Sequence, residues 1–326
     1  MSKRLVIVII NYRTPELVVD CLASLAHEVT SLENVFAVVI DNASGDQSHL
    51  QIDQAIQEQG WSDWCEVYQE NDNRGFSAGN NAGMKVHEAE FYLLLNSDTL
   101  VHPGALAHLL RSAEENPRAG LIGPQLLTSE GQLDLSVFRT PQPLSELVRG
   151  AHLSVIDRLF ARHVIADEDL DEPKENTWLS FAAVLLRRET FEQVGPMDEG
   201  FFMYFEDIDY GRRVRSAGWE LGYCPESVIT HLGGASAVNV PGCESRRPRG
   251  PRYFYEARSR YFCKYYGLVG LWSANILWTV GKGLSLMRQV TSGRPPHSCQ
   301  AEGRDIWIGS IRPLRPPSLP QKARSQ

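Results

Sequence analysis

Four segments of this 326-residue chain, and one histidine, gather side chains that could do chemistry. Asn96-Ser97-Asp98 directly follows the apolar run 91–95. A carboxylate just past a buried strand of an α/β sheet can hold an oxygen-seeking divalent ion against ligand phosphates, and it can equally be the Asx residue of an ordinary turn. Asp41-Asn42-Ala43-Ser44-Gly45 follows the apolar run 35–40 and offers an acid and an amide that could hydrogen-bond a nucleobase and ribose, with turn capping as the other use. Residues 71–83, NDNRGFSAGNNAG, combine glycines that permit close backbone approach with Asn80 and Asn81 as uncharged donors and acceptors, or they are a plain helix start packed through small residues. The segment 198–209, DEGFFMYFEDID, sets five acids among bulky apolar residues. Carboxylates beside aromatics lose solvation and become stronger bases, while Glu206, Asp207 and Asp209 also suit a helix N-terminus electrostatically. Arg213 can pair with Asp209 one turn along, and Arg212 can face an anionic ligand. His231, after the apolar pair Val228-Ile229, is either structural or, with an aspartate such as Asp98 beside it, part of a metal site.

Such residues need a rigid frame, and the spacing of apolar residues predicts one. Residues 5–10, 35–40 and 91–95 read as buried parallel strands. Thr14 and Pro15 open a helix in which Leu17, Val18, Cys21, Leu22 and Leu25 recur at helical spacing, and further helices are expected near Arg74, Pro103 and Glu206. The βαβ rhythm implies an α/β sheet whose ligands bind beyond the carboxyl ends of its strands, where Asn11, Tyr12, Asp41, Asn42, Ser44, Asn96, Ser97 and Asp98 stand. Neither a G-x-G-x-x-G after a strand nor a G-x-x-x-x-G-K-[ST] occurs, which disfavours a dinucleotide fingerprint and a P-loop. Residues 140–176 are weakly patterned and are expected to be a surface loop or a mobile insertion. A strand is expected over 178–186.

Hydrophobic residues make up 43% and charged residues 22%, ordinary globular proportions that exclude a fibrous or low-complexity chain. Cys21, Cys65, Cys224, Cys243, Cys263 and Cys299 are scattered without a C-x2-C pair, which argues against a disulfide framework or a zinc cluster and for a reducing cytosol. The opening MSKRLVIVIINY has too short an apolar run, and no cleavage site, for a signal peptide. The net charge of −8 conceals a division: residues 1–244 hold 17 Lys and Arg against 37 Asp and Glu, and residues 245–326 hold 15 against 3. A basic end of this kind commonly meets nucleic acid or an anionic membrane.

In order along the chain, VIVIINYRTPELVVDCLASL, VVIDNASGDQS, ENDNRGFSAGNNAGM, FYLLLNSDT, LSFAAVLLRRETFEQVGPMDEGFFMYFEDIDYGRRVRSAGW and VITHLGG resemble the family 2 glycosyltransferases, in particular their bacterial rhamnosyltransferase-like branch. The resemblance covers about residues 5–235 and implies a GT-A fold: a Rossmann-like nucleotide-binding mixed sheet flanked by helices, over residues 1–240, with a nucleotide-sugar half to about 125 and an acceptor half beyond. It implies that Asn11, Tyr12, Asp41, Asn42, Ser44, Asn71, Gly75, Phe76, Asn80, Asn96 and Ser97 line a nucleotide-sugar site, with Asp41 toward the base. Asn96-Ser97-Asp98 would occupy the D-x-D position with one carboxylate fewer, Asp98 and His231 would hold Mg2+ or Mn2+, and Phe181 and Arg212 would lie on the acceptor and diphosphate side. Asp207, beside Glu206, would be the base that deprotonates an acceptor hydroxyl, with inversion at the anomeric carbon. The branch suggests dTDP-L-rhamnose as donor and a lipid-linked or polysaccharide acceptor, and the alternatives are a nucleotidyltransferase and a non-catalytic sugar-nucleotide-binding protein.

Residues 241–292 form a basic, aromatic and then apolar helical extension, and residues 293–326 are expected to be disordered. Seven basic residues within 246–264, with aromatics, suit a lipid-facing surface, while no nucleic-acid-binding motif accompanies them. Residues 265–281 hold no formal charge over 17 residues, at the low edge of the ~17 to 25 needed to span a bilayer, and are expected to be an interfacial or packed helix. The expected location is therefore cytoplasmic, peripheral on the inner face of the cell membrane.

Overall fold

The computed structural model describes residues 3–166, 172–233, 249–292 and 298–317. Gly234, Cys243, Arg246, Arg247 and the acidic residues within 167–171 lie outside them. The elements run β1 (Lys3–Asn11), α1 (Pro15–Ser31), β2 (Val35–Asp41), α2 (Ser48–Glu58), β3 (Cys65–Gln69), α3 (Phe76–Val86), β4 (Ala89–Asn96), β5 (Thr99–Val101), α4 (Ala105–Glu115) and β6 (Ala119–Leu127). There follow β7 (Leu133–Asp134), β8 (Val137–Arg139), α5 (Pro143–Ala151), α6 (Ser154–Leu159), β9 (Thr177–Leu179), β10 (Ala183–Arg187), α7 (Arg188–Val194), α8 (Glu206–Ser216), β11 (Glu220–His231), α9 (Arg252–Ser292) and α10 (Glu302–Asp305).

One mixed sheet has the order β3-β2-β1-β4-β10-β6-β11-β5, with β7 on β6. β1 to β4 are mutually parallel, and β10 runs antiparallel to both β4 and β6. Because side chains alternate across a strand, Leu5, Ile7 and Ile9 join one core with α1, α2 and α4, whereas Val6 and Val8 join a second on the opposite face. Both faces are covered, which is why β1 reads as an unbroken apolar run. The halves expected on either side of residue 125 share this sheet, since β10 lies between β4 and β6. The single strand expected over 178–186 is two, β9 and β10, and β9 pairs with β8 in a separate ribbon.

Two expectations are corrected. Residues 143–151, placed in a loop or mobile insertion, form α5, whose Leu147, Val148 and Ala151 are buried against α9. The two helices cross at glycines: a Cβ on Gly150 would stand 2.4 Å from the Trp278 carbonyl oxygen, and one on Gly281 2.4 Å from that of Leu147. Residues 298–317, expected to be disordered, pack on α9 through the fully buried Ile306, while Arg249 and Asp305 pair at 2.6 Å. Proline and arginine content misled there because two acids, Glu302 and Asp305, and a few apolar contacts suffice to dock the segment.

Candidate active site

At the carboxyl edge of the sheet Asn11 and Asp41 are register neighbours, and Asn96 stands one strand further, opposite Ile10. Asn11 Nδ2 donates to Asp41 Oδ1 at 2.6 Å and to Ser44 Oγ at 3.2 Å, and the Ser44 hydroxyl donates to the same Asp41 oxygen. Asn11 Oδ1 accepts the Thr14 N–H at 3.2 Å, so one amide closes β1, clamps the turn after β2 and starts α1. Asp41, expected to face a base, is wholly buried in this knot, and its role is to hold Asn11 and Ser44. Tyr12, 39% exposed with the Arg13 guanidinium 5.2 Å from its ring centre, is the member of the set that faces outward.

The next wall is built by the start of α3. Asn42 Nδ2 donates to the Gly75 carbonyl at 3.0 Å, and Asn71 is exposed. Gly75 has φ +93°, and a Cβ there would lie 2.0 Å from the Phe202 carbonyl oxygen, which accepts the Phe76 N–H at 2.7 Å. Only glycine permits that approach. Asn80 donates to the Phe76 carbonyl at 3.0 Å while its Oδ1 is buried without a donor. Its neighbour Asn81 does something the sequence reading missed: it accepts the Met197 N–H at 2.9 Å and donates to the Met197 carbonyl at 3.0 Å and to Glu199 at 3.1 Å. Adjacent helical residues point about 100° apart, which was the available signal that two neighbouring asparagines serve different sides.

Asp98 and His231 are brought together by strand pairing, since His231 stands opposite Thr99 of β5 and the Leu232 N–H donates to the Asp98 carbonyl at 2.9 Å. His231 Nε2 lies 3.4 Å from Asp98 Oδ1, a buried oxygen with no closer donor, and Nδ1 lies 3.9 Å from Asp134. Its bond to Asp98, backed by the charges of Asp98 and Asp134 and opposed by burial, raises the imidazole pKa. A buried carboxylate oxygen facing one imidazole is a donor set that suits a hard or borderline divalent ion whose remaining positions are filled by ligand oxygens.

The acid pair sits at the head of α8, on a loop held from both sides. Asn81, Gly75 and Phe76 grip it from α3, and Arg74 reaches Glu199 at 2.8 Å. From α9, Tyr253 stacks on Tyr204, and Phe254 and Tyr261 pack on Phe205. Tyr204 and Phe205 both adopt positive φ, +72° and +66°, which costs on the order of 1–3 kcal/mol each and persists only where the surroundings impose it. Glu206 is buried, with Oε2 lacking any donor. Burial, together with the charges of Asp207 and Asp209, pushes its pKa well up. Asp207 is partly exposed, accepts the Ile208 N–H at 2.8 Å, and is raised by desolvation from 3.8 to about 7 despite that bond.

Phe181 and Arg212 are reassigned by their contacts. Phe181 is buried and meets Tyr210 of α8 at 6.2 Å, while the next residue's carbonyl accepts the Asn96 N–H at 2.9 Å, so it spaces α8 from the end of β4. The Arg212 guanidinium donates to the Tyr261 and Tyr266 hydroxyls at 3.0 and 3.1 Å and lies 3.8 Å from the Tyr265 ring centre, which commits it to α9.

Comparison with known proteins fits this arrangement. The family model described as glycosyl transferase family 2 matches residues 6–208. The N-acetylglucosaminyl-diphospho-decaprenol L-rhamnosyltransferase of Mycobacterium tuberculosis is 30% identical over 202 residues, 60% of this chain and 62% of that protein, so the match spans less than two thirds of its length. The low-salt glycan biosynthesis hexosyltransferase Agl10 of Haloferax volcanii is 23% identical over 270 residues, 80% of this chain and 75% of that one. Among solved structures, the mannosyltransferase PcManGT of Pyrobaculum calidifontis in complex with GDP-Man and Mn2+ superposes with TM-score 0.53 at 14% identity, over 91% of this chain and 77% of that one. S. aureus TarS 1-349 does so with TM-score 0.54 at 15% identity, over 95% and 80%. The chain belongs to glycosyltransferase family 2 and carries the GT-A fold.

Proposed function

We propose that this protein transfers a sugar, with inversion, from a nucleoside-diphosphate sugar to a hydroxyl of a lipid-linked or polysaccharide acceptor. The observation that carries the reading is the pair of a buried Glu206 and a partly exposed Asp207, held by strained backbone on a loop that joins the strand-end site to α9. Burial and the charges of Asp207 and Asp209 oppose ionisation of Glu206 and push its pKa well up. Asp207, raised to about 7, ionises in the working range and is basic enough to take the proton from an acceptor oxygen as that oxygen attacks the anomeric carbon. Tyr12 offers a face for the base, and Asn80 Oδ1 a buried acceptor for a ribose hydroxyl. Asp98 and His231 would hold Mg2+ or Mn2+, which would supply charge neutralisation at the leaving diphosphate. With Asn96 in place of a second acid, His231 is the group that completes the protein's share of the donor set.

The name of the rhamnosyltransferase relative supports L-rhamnose as the sugar and a prenyl-diphosphate-linked sugar as the acceptor class, and the donor of this reading is dTDP-L-rhamnose. The same reading places the reaction at the inner face of the cell membrane, where a lipid-linked acceptor would stand. The test is transfer from a panel of nucleotide sugars, with the product anomer assigned by NMR and Asp98→Ala and Asp207→Asn as variants. Asp207→Asn is expected to lose ~10² to 10⁴ in kcat, and full activity in that variant would refute the base assignment.

A further inference from the structure

Beyond the break at Gly267, α9 is apolar on both sides and covered on only one. Leu271, Ala274, Trp278 and Gly281 face inward. At about 100° per residue, Val269, Trp272, Ile276, Val280, Met287 and Val290 fall within an arc of about 80° on the opposite side, a stripe about 32 Å long. Val269 is 78% exposed, Ile276 55%, Met287 61% and Val290 89%. The stripe continues off the helix: Trp272 Nε1 donates to the Ser310 carbonyl at 3.1 Å, and the exposed Ile311 and Leu314 follow, with Arg312 and Arg315 exposed beside them. No acid occurs between Glu256 and Glu302, Lys282 Nζ is buried and Arg288 donates to the His152 carbonyl at 3.2 Å, so the exposed charges beside the stripe are those of Arg312 and Arg315.

We propose that this face docks on an anionic lipid bilayer, with α9 lying in the interfacial plane. An exposed apolar stripe with tryptophan, flanked by Arg312 and Arg315 and by no acid of α9, matches such a surface in both solvation and charge. Facing a second copy of itself, the same stripe would meet positive charge with no acid to pair it. No helix among the described residues is long and apolar enough to cross a membrane. The surface differs from the one expected over 246–264, whose described cations each pair with an acid of the same chain. It goes beyond the transfer reading and does not rest on it.

The test is co-sedimentation of the full chain with vesicles of phosphatidylcholine alone or mixed with phosphatidylglycerol. Binding to the mixed vesicles is expected, and Ile276→Glu with Val280→Glu should lower partitioning by roughly 100-fold, as withdrawal of two aliphatic side chains from the bilayer implies. Turnover of donor with a soluble acceptor should be unchanged, which separates this surface from the catalytic assignment. Should the double variant fold poorly, quenching by brominated lipid decides: the wild-type signal should exceed that of Trp272→Phe. Failure of the wild type to bind, binding undiminished in the variant, equal quenching, or a wild-type dimer that the variant dissolves would each overturn the proposal.

Discussion

Asp207→Asn should inactivate the protein and stabilise it at the same time. The Asp207 carboxyl titrates at 3.8 in an unfolded chain and at about 7 in the fold. Below pH 4 both states hold the proton, and the group contributes no difference. As pH rises from 4 to 7 the unfolded chain releases the proton while the folded one keeps it, so the folded state binds more protons and stability falls with pH. At about 1.4 kcal/mol per pH unit, the charge costs the fold on the order of 4 kcal/mol above pH 7. Asparagine removes the charge yet keeps an oxygen that can accept the Ile208 N–H, so the helix start loses little. Thermal melts of both proteins from pH 4 to 8 check this. The variant should match the wild type at pH 4 and melt several degrees higher at pH 8, at ~2–4 °C per kcal/mol for large domains. A structural carboxylate would behave oppositely, its loss lowering the melting temperature at pH 8. A variant that melts lower at pH 8, or by an equal offset at every pH, would refute the claim that desolvation activates Asp207.

Gly75→Ala should destabilise by at least ~2 kcal/mol and reduce turnover, because the new Cβ meets the Phe202 carbonyl and displaces the loop carrying the acid pair; a denaturant melt and a kcat measurement check it. Arg258, fully buried, donates to Glu146 at 2.9 Å and to Asn275 at 2.7 Å, so Arg258→Met should cost about 3 kcal/mol by urea unfolding, with Glu146→Gln recovering part of it in the double variant. Deletion of residues 298–326 should lower the melting temperature by several degrees, since it removes Ile306 and the acids paired with Arg149 and Arg249; an unchanged melt would restore the expectation of disorder.

The strands were legible because burial on both faces writes unbroken apolar runs at 5–10 and 35–40. The strand-end residues were legible as a group, but their individual roles were not. A sequence places Asp41 at the sheet's edge without saying that Asn11 and Ser44 consume its carboxylate. Phe181 and Arg212 were misassigned for a related reason: what an aromatic or a guanidinium does depends on its neighbour, and here the neighbours, Tyr210 and the three tyrosines of α9, are remote in sequence. The pairing of Asp98 with His231 was visible only as a condition on the fold, and the antiparallel register of β5 and β11 meets it.

The division of charge along the chain bears on which acid is the base. Arg252 pairs with Glu256 in its own helix, Arg258 with Glu146, and Arg249 with Asp305. Arg260 and Lys264 pair with Asp198, and Lys264 also with Asp209, the two aspartates that flank the acid pair. Glu206 and Asp207 receive no cation among the described residues. The outcome is a separation of like groups by their surroundings. Although burial opposes it, Lys264 and Arg260 hold Asp198 down to about 2, while desolvation lifts Asp207 to about 7. On the transfer reading proposed above, the basic segment would act on the chemistry from within: its pairing with the outer carboxylates holds the loop, and Glu206 and Asp207 are left without a cation among the described residues.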